Sequence, residues 1–535
     1  MSSTDSVYRS YFDLRWHFNP AAATEAGVTG QNARLGDFDE DSMRAHMAAF
    51  RSMDFAIEAL EVDDVDAEID RTALLNEVRS TISRFEVEQP HVKNPAFWLS
   101  HLYQALYGLI DRQEAPADQT ASDILARLRA TPAFLAAAQD TIRDPAPILL
   151  DTATAMIDGG EDLITQMARF CQQVPSVEIG EVDAAATEAE AALTRFGLAL
   201  KSELATSEDI HGFAIGEEQF NHKLHFEYAL PGSAPELWRY GMHLVDEIEA
   251  SLARLANAID PGVSWRVVAD RLRQDSPVPP NAIESYRDEM NRAREFVADR
   301  ALMALPAAPL EVLETPEFLR PLVPFAAYSP PGPFSSDRSG RFYVTPQPER
   351  AGRRSSRSSH EIPGIALHEG NPGHHLHMLT MQALPSLVRQ VLWSPLTVEG
   401  WALYCEDMMG DEGFYEDPAD QFFQQLHLLW RAVRIILDIG LHTRNMSPAA
   451  AVLYLIEKVP MDPAEAAAEV RRYCGAPTYQ LCYAVGRREI LALRDSYRGR
   501  AGADFSLREF HDEFLRYGGL PVSLARWGMG LAEDR

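Results

Sequence analysis

The chain has 535 residues, 46% of them hydrophobic, and its formal net charge at pH 7 is −30. Such an acidic excess excludes nucleic acid and anionic membrane surfaces as expected partners, because both are themselves negatively charged. The first residues show neither the basic nor the apolar segment of a signal peptide, and no apolar run reaches the length of a membrane span. We therefore expect a cytoplasmic protein whose four cysteines are free thiols.

Residues 1–305 predict a helical scaffold lobe. Apolar residues recur there every three or four positions between charged ones, which is the periodicity of a helix buried on one side. The strongest predicted helices cover residues 74–85, 123–138, 147–171, 182–204 and 234–258.

Residues 306–350 predict a proline-rich, extended segment. Ten of the chain's 34 prolines lie here, and proline excludes long helices because it lacks a backbone N–H. Phe342-Tyr343-Val344 is the best strand candidate. We predict that residues 341–344 form an edge strand that binds an extended substrate through main-chain hydrogen bonds, with Tyr343 as a substrate contact. The alternative is a small structural hairpin.

Residues 351–535 predict a helical metal-site lobe. It opens with a basic, serine-rich stretch at 352–359, which is typical of a solvated loop or of a mobile lid that meets a substrate carboxylate. The most informative sequence in the chain follows, His368-Glu369-Gly370-Asn371-Pro372-Gly373-His374-His375. Three imidazoles and a carboxylate within eight residues predict a zinc site.

The spacing of this motif differs from the familiar HExxH, in which two histidines at i and i+4 share one helix face. Here the i+4 position is Pro372, which lacks the N–H that would bond to the carbonyl of His368. We therefore predict a broken helix, with Asn371 and Pro372 beginning the next helix and His374 as the second ligand. The alternative is a kinked continuous helix in which His375 returns to the same face, about 10 Å along the axis from His368.

The third ligand is expected from the acidic-aromatic segment at residues 399–406, EGWALYCE. With Thr397 as its cap, this helix presents Glu399 and, seven residues later, Glu406 on one face. We predict Glu399 as the ligand and Glu406 or Asp407 as the group that orients a ligating imidazole. Glu369, directly after the first histidine, is the predicted general base.

Arg431 and Arg434 lie three residues apart on a further predicted helix. One side of that helix presents both guanidinium groups, which bind carboxylates through paired hydrogen bonds. We predict them as substrate-binding residues. The alternative is structural pairing with acids such as Asp438 and Glu406.

The motif HExxPGHH followed by EGWALY is identified as the mark of a bacterial family, domain of unknown function 885. Members of this family resemble the helical zinc carboxypeptidases and oligopeptidases of the gluzincin group. Further segments similar to the family lie at residues 19–27, 215–220, 328–331, 340–344, 431–442, 510–512 and 518–521. The resemblance implies a mainly α, bilobal helical metallopeptidase-like fold with a deep cleft and a small β-element before the metal helix.

The resemblance also bears on three tyrosines, Tyr473, Tyr479 and Tyr483. It implies that Tyr483 is the phenol that stabilises the oxyanion formed when water attacks a carbonyl. One departure is visible, because Pro477-Thr478-Tyr479-Gln480 stands where the family commonly reads Pro-Gly-Gln-Ala.

Together these residues predict a zinc-dependent hydrolase of peptide or peptide-like amide bonds. One zinc ion per chain is expected on His368, His374 and Glu399, with Glu369 and Tyr483 as the catalytic groups. Two other hypotheses are a hydrolase of amide or other C–N bonds in a small metabolite, using the same site, and a non-catalytic helical protein with a structural or relic metal site. Three protein ligands favour catalysis, because a structural zinc site is closed by four.

Overall fold

The protein is mainly α-helical, as the sequence predicts. The structure is a computed structural model and describes residues 3–111, 113–202, 204, 207–316, 320, 326–346 and 357–531. These residues pack as two compact units.

The first unit runs to Phe213 and also includes Pro331–Arg338. Several of its helices begin as the capping rules expect, since Asp39 and Asp64 each accept hydrogen bonds from backbone N–H groups of the following first turn. Its helices are α1 (Ser3–Phe18), α2 (Pro20–Glu25), α3 (Glu40–Glu58), α4 (Val65–Ser83), α5 (Pro90–Lys93), α6 (Pro95–Asp111), α7 (Ala117–Thr141), α8 (Pro147–Gln172) and α9 (Ile179–Ser202).

The second unit begins at Ala214 and contains further helices and a small sheet. Its first helices are α10 (Gly216–Phe226), α11 (Ala234–Ile259), α12 (Trp265–Asp275) and α13 (Ile283–Asp299). The strands are β1 (Leu310–Glu314), β2 (Ala326–Ser329) and β3 (Gly340–Val344). The later helices are α14 (Ile362–Glu369), α15 (His374–Gln382), α16 (Leu387–Val391), α17 (Pro395–Asp411), α18 (Pro418–Thr443), α19 (Pro448–Lys458), α20 (Pro463–Cys474), α21 (Cys482–Ala501), α22 (Leu507–Leu515) and α23 (Val522–Gly528).

The five helices predicted in the first 305 residues are present as parts of α4, α7, α8, α9 and α11. The boundary between the packing units, however, differs from the predicted boundary at residue 305, because α10 to α13 belong to the second unit. On α11, for example, Gly241 lies against α18, where an added Cβ would be 3.1 Å from Ile435. The periodicity of a helix predicts that one face is buried, but not which element covers it.

The sheet has the strand order β1-β3-β2, with β1 parallel and β2 antiparallel to β3. The strand predicted at residues 341–344 is therefore confirmed, but the prediction that it is an edge strand is wrong. Tyr343 pairs with Leu313 on one side and with Ala327 on the other, and its side chain is buried. A substrate strand cannot add to β3, because neighbouring strands already flank it on both sides.

Within the described ranges, no helix is both long and apolar enough to cross a membrane. The cysteines are buried and unpaired, as predicted. The serine-rich stretch predicted as a loop or lid lies mostly outside the described residues, which include only 357–359 of it.

Candidate metal centre

The predicted metal motif lies at a break between two short helices. α14 ends before Pro372 and α15 begins after it, so the helix is interrupted where this proline predicts. The N–H of Gly373 donates to the carbonyl of Leu367 at 3.0 Å, and a Cβ at Gly373 would overlap the carbonyl oxygen of His368, so only glycine fits. The break brings His374 beside His368, with ring centroids 4.7 Å apart.

The start of α15 differs from the prediction. Gly373 occupies the cap position without a side-chain cap, whereas Asn371 and Pro372 lie before the helix. Pro372 instead contributes its carbonyl, which accepts hydrogen bonds from the indole of Trp401 at 2.9 Å and the thiol of Cys405 at 3.5 Å. Side chains of α17, distant in sequence, thus hold the break in place.

α17 is capped differently from the prediction but presents the predicted face. Ser394 stands at its cap position, and the hydroxyl of Thr397 donates instead to the carbonyl of Leu520 at 2.8 Å. Glu399 and Glu406 nevertheless project to the same side, because seven residues make about two helical turns. Both reach His368.

Three residues predicted as ligands converge here. His368, His374 and Glu399 are buried, and one ligand atom from each lies within 4.8 Å of the other two. Oε2 of Glu399 is 3.5 Å from Nε2 of His368 and 3.4 Å from Nε2 of His374. Two imidazole nitrogens and one carboxylate oxygen form a donor set typical of catalytic zinc sites. Among the residues that the structure describes, this is the one such group.

His375 is kept out of this group by its own hydrogen bonds. Its Nδ1 lies 3.1 Å from the hydroxyl of Tyr328 and its Nε2 lies 3.2 Å from the carbonyl oxygen of Ala308. Gly340 makes room for the ring, because a Cβ there would overlap Nδ1. Of the two histidines that the sequence leaves open, His374 joins the cluster and His375 does not.

Glu406 orients His368 from behind. Its Oε1 accepts a hydrogen bond from Nδ1 of His368 at 2.8 Å, which directs Nε2 towards Glu399. Asp407, the alternative named from the sequence, pairs instead with Arg487 and accepts a hydrogen bond from Gln424 at 2.8 Å.

The carboxylates favour a positive charge at this place. Burial by itself would lower the pKa of His368, but the neighbouring carboxylates of Glu399 and Glu406 raise it to about 9. Burial would likewise raise the pKa of Glu399, but the two imidazoles hold it well below its usual range. A metal ion can supply the same positive charge while both imidazoles are neutral.

Unpartnered, buried carboxylate oxygens lie in the cluster and beside it. Within the described part of the chain, Oε2 of Glu399 has no hydrogen-bond partner, and neither has Oε2 of Glu406. A buried carboxylate oxygen without a hydrogen-bond donor is costly, because it has lost its hydration. A cation between Oε2 of Glu399 and the two Nε2 atoms would satisfy all three. The residues present therefore fit a zinc ion.

Tyr479 holds the other oxygen of Glu399. Its hydroxyl donates to Oε1 at 2.7 Å, which leaves Oε2 facing the imidazoles. Sequence reasoning named Tyr479 only as one of three candidate phenols. The sequence signal that could have singled it out is the departure from the family pattern at residues 477–480.

The loop that carries Tyr479 is fixed by a buried carboxylate. Asp438, on α18, accepts hydrogen bonds from three backbone N–H groups within residues 478–481, at 3.0 to 3.2 Å. Thr478 adopts a φ of 69°, which is strained for a β-branched residue. Such a conformation persists only where the surroundings enforce it, so the loop positions Tyr479 rigidly.

A glycine contact between α17 and α21 brings Tyr483 to the cluster. A Cβ at Gly400 would lie 2.6 Å from Cα of Gly486, and one at Gly486 would overlap the carbonyl oxygen of Leu396. Tyr483 lies about one turn before Gly486, and its ring stacks on His368 with centroids 6.3 Å apart and planes 19° apart. Among the described residues its hydroxyl has no hydrogen-bond partner, so it remains able to donate.

The two predicted substrate-binding arginines differ in burial and in their polar partners. Arg434 is buried, its Nε donates to the hydroxyl of Tyr473 at 3.0 Å, and it pairs with Glu469 at 3.0 Å. Arg431 is half-buried, and within the described ranges its Nε has no partner. Its guanidinium carbon lies 6.0 Å from the centre of the Tyr483 ring. The guanidinium of Arg434 thus has structural partners, whereas that of Arg431 remains available to a ligand.

Glu369, the predicted base, is the half-buried last residue of α14. Its negative charge contributes to the raised pKa of His368. No described residue hydrogen-bonds its carboxylate, which is therefore available to accept a proton.

The sequence matches, over residues 20–529, the family described as "Bacterial protein of unknown function (DUF885)". The chain belongs to this family. The match confirms the predicted family, and the family description names no activity. The comparison with curated proteins gave no match.

Two solved structures share the fold of this DUF885 protein. One, from Shewanella oneidensis and provisionally described as a lipoprotein of unknown function, is 23% identical, with a TM-score of 0.82 over 99% of this chain and 100% of that chain. Another, from Colwellia psychrerythraea and provisionally described as a lipoprotein, is 18% identical, with a TM-score of 0.85 over 99% of each chain. At these identities the likeness shows the fold alone.

Proposed function

We propose that this DUF885 protein is a zinc-dependent hydrolase of peptide or peptide-like amide bonds. The observation that carries the proposal is the unpartnered, buried Oε2 of Glu399, which faces Nε2 of His368 and Nε2 of His374. Two imidazoles and a carboxylate hold catalytic zinc while leaving a coordination position open. A structural site would need a fourth protein ligand, and the described residues offer three.

A zinc ion held by these residues supplies Lewis acidity, which polarises a carbonyl group and makes water more acidic. Glu369 takes the proton of the attacking water and then passes it to the leaving amine. Tyr483 donates a hydrogen bond to the oxyanion that develops on the carbonyl oxygen. Both side chains bring uncommitted polar atoms, so neither must break an existing hydrogen bond during the reaction.

Neighbouring side chains fix the orientation of the metal ligands. Glu406 fixes the ring of His368, and Tyr479 fixes the carboxylate of Glu399. An extended substrate would pair with β2, because β2 is an outer strand of the described sheet and its Tyr328 stacks at 6.5 Å on His374. The bilobal cleft and the cytoplasmic location predicted from the sequence stay predictions.

A peptide-library digest read by mass spectrometry tests the proposal. Protein loaded with one equivalent of zinc should generate new peptide termini, a chelator should abolish them, and added zinc should restore them. His374→Ala should show no cleavage, whereas His375→Ala is a matched control that should retain it. Absence of cleavage by fully zinc-loaded protein, or cleavage that survives in His374→Ala, would contradict the proposal.

A further inference from the structure

We propose that Arg431 binds a free carboxylate of the substrate beside the scissile bond. The substrate class is then peptides cleaved before their C-terminal residue, together with N-acyl amino acids. This inference rests on the proposed hydrolase function and adds to it the end of the chain at which the enzyme acts.

The first support is the missing counter-ion of Arg431. Other arginines near the cluster are each paired with an acid: Arg434 and Arg472 with Glu469, and Arg487 with Asp407. Arg431 has no carboxylate within 4.0 Å among the described residues, and its Nε is buried without a partner. Burying Nε without a partner is unfavourable, because the hydration of this N–H is lost without replacement. An anionic ligand would remove that cost.

The second support is the location of Arg431. The ring of Tyr483 stacks on His368. The guanidinium carbon of Arg431 lies 6.0 Å from the centre of the same ring. Glu406 does not form an ion pair with Arg431, since its Oε1 accepts a hydrogen bond from His368 and its Oε2 has no hydrogen-bond partner.

The chemistry of an amide substrate indicates which carboxylate fits. In a peptide cleaved before its last residue, the leaving amine carries its own carboxylate one carbon away. An internal peptide bond has a neutral amide at that position. A guanidinium close to the reacting carbonyl therefore distinguishes C-terminal from internal bonds, because it forms paired charged hydrogen bonds with a carboxylate but not with an amide.

Turnover on paired substrates tests this inference. The probe is a library of N-acetylated hexapeptides, each present as the free acid and as the C-terminal amide, with isotope tags that distinguish the two. Wild-type protein should remove the last residue from the acids and spare the amides. Arg431→Met should lower kcat/KM for the acids by about 30- to 100-fold, the size of a charged hydrogen-bonded contact. Arg431→Lys should recover only part of this loss.

Arg472→Gln is the matched control. Like Arg431, Arg472 carries a positive charge that acts on the pKa of Tyr483. Unlike Arg431, it is already paired with a carboxylate, that of Glu469 at 2.8 Å. It should leave the preference for acids unchanged. Equal cleavage of acids and amides by wild-type protein would overturn the inference while leaving the hydrolase proposal standing. Cleavage of neither form would instead overturn the proposed function.

A binding experiment separates the inference from turnover. Glu369→Gln should retain the free-acid hexapeptides and release the amides in equilibrium dialysis, and adding Arg431→Met should abolish the difference. A purely structural role for Arg431 would change the retention of both forms alike. Equal retention of acids and amides by Glu369→Gln, or retention of neither, would overturn the inference.

Discussion

In the first unit the buried polar cluster around Arg127 is complete, whereas the cluster around Glu399 in the second unit is not. Arg127 is fully buried, and its guanidinium donates to the carbonyl oxygens of Arg34 and Ala105 and to the hydroxyl of Thr24. Burial lowers its pKa to about 10, yet none of its nitrogens lacks a partner. Glu399, by contrast, keeps a buried oxygen with no donor among the described residues.

The two clusters differ in hydrogen bonding and not in burial. Both clusters are buried and rigidly held, so burial and charge do not distinguish structure from function. The unpartnered oxygen of Glu399 does, because it can still bind a cation together with the two imidazoles. The Arg127 cluster should therefore contribute to stability alone, and the Glu399 cluster should contribute to metal binding and chemistry.

The largest effect should come from Glu369→Gln. The amide cannot accept the proton of water, so kcat should fall by about 10³- to 10⁴-fold while the zinc content stays unchanged. Kinetics on a peptide found in the library digest, with zinc measured by mass spectrometry, checks both parts. Glu416→Gln, an exposed acid of the same unit, is the control and should keep its rate. Near-normal turnover by Glu369→Gln would refute the assigned base.

Arg127→Met should break the complete cluster. Buried carbonyl oxygens then lose their donor, so the free energy of unfolding of the first unit should fall by about 3–5 kcal/mol. Hydrogen exchange along α7 measures this loss locally. Zinc content should not change. Arg129→Met on the same helix removes an exposed pair with Glu181 and should have little effect. Loss of zinc in Arg127→Met would contradict the claim that the Arg127 cluster contributes to stability alone.

Gly486→Ala should disturb the cluster around Glu399 by moving the helix backbones that carry it. The added Cβ overlaps the carbonyl of Leu396, so α17 and α21 must separate and carry Glu399 away from Tyr479. We expect a loss of about 2–3 kcal/mol in the free energy of unfolding, and weaker zinc binding. Gly499→Ala on the same helix meets nothing within 4 Å and should bind zinc normally. Unchanged stability of Gly486→Ala would mean that the helices do not meet there.

Tyr479→Phe should have a smaller effect, confined to the metal. It keeps the ring and removes the hydrogen bond to Oε1 of Glu399, so zinc affinity should fall by about 10-fold. Competition with a fluorescent chelator measures this. Tyr473→Phe removes a hydroxyl that bonds Arg434 and not Glu399, and should leave zinc affinity unaltered. Equal losses in both variants would assign Tyr479 a general structural role.

Local chemistry made part of the site predictable. The break at Pro372 follows from its missing N–H, and the shared face of Glu399 and Glu406 follows from helical spacing. Together they identified the residues that converge in the cluster. Periodicity and the family resemblance likewise predicted a mainly helical chain.

Contacts between distant segments account for what the sequence did not reveal. β3 is central because β1 and β2 flank it, and the break before α15 is held by the hydrogen bond from Trp401 to the carbonyl of Pro372. Tyr479 reaches Glu399 only because Asp438, far away in sequence, fixes its loop. The difference between Arg431 and Arg434 depends on Glu469 in the same way.

The central claim is that one zinc ion binds at the cluster, and anomalous diffraction from crystals of zinc-loaded protein tests it most directly. Data collected above and below the zinc edge should show a single strong peak, about 2.0–2.2 Å from Nε2 of His368, Nε2 of His374 and one oxygen of Glu399, with no fourth protein ligand. The absence of a peak there, or a peak bound by His375 or by four protein side chains, would contradict the account.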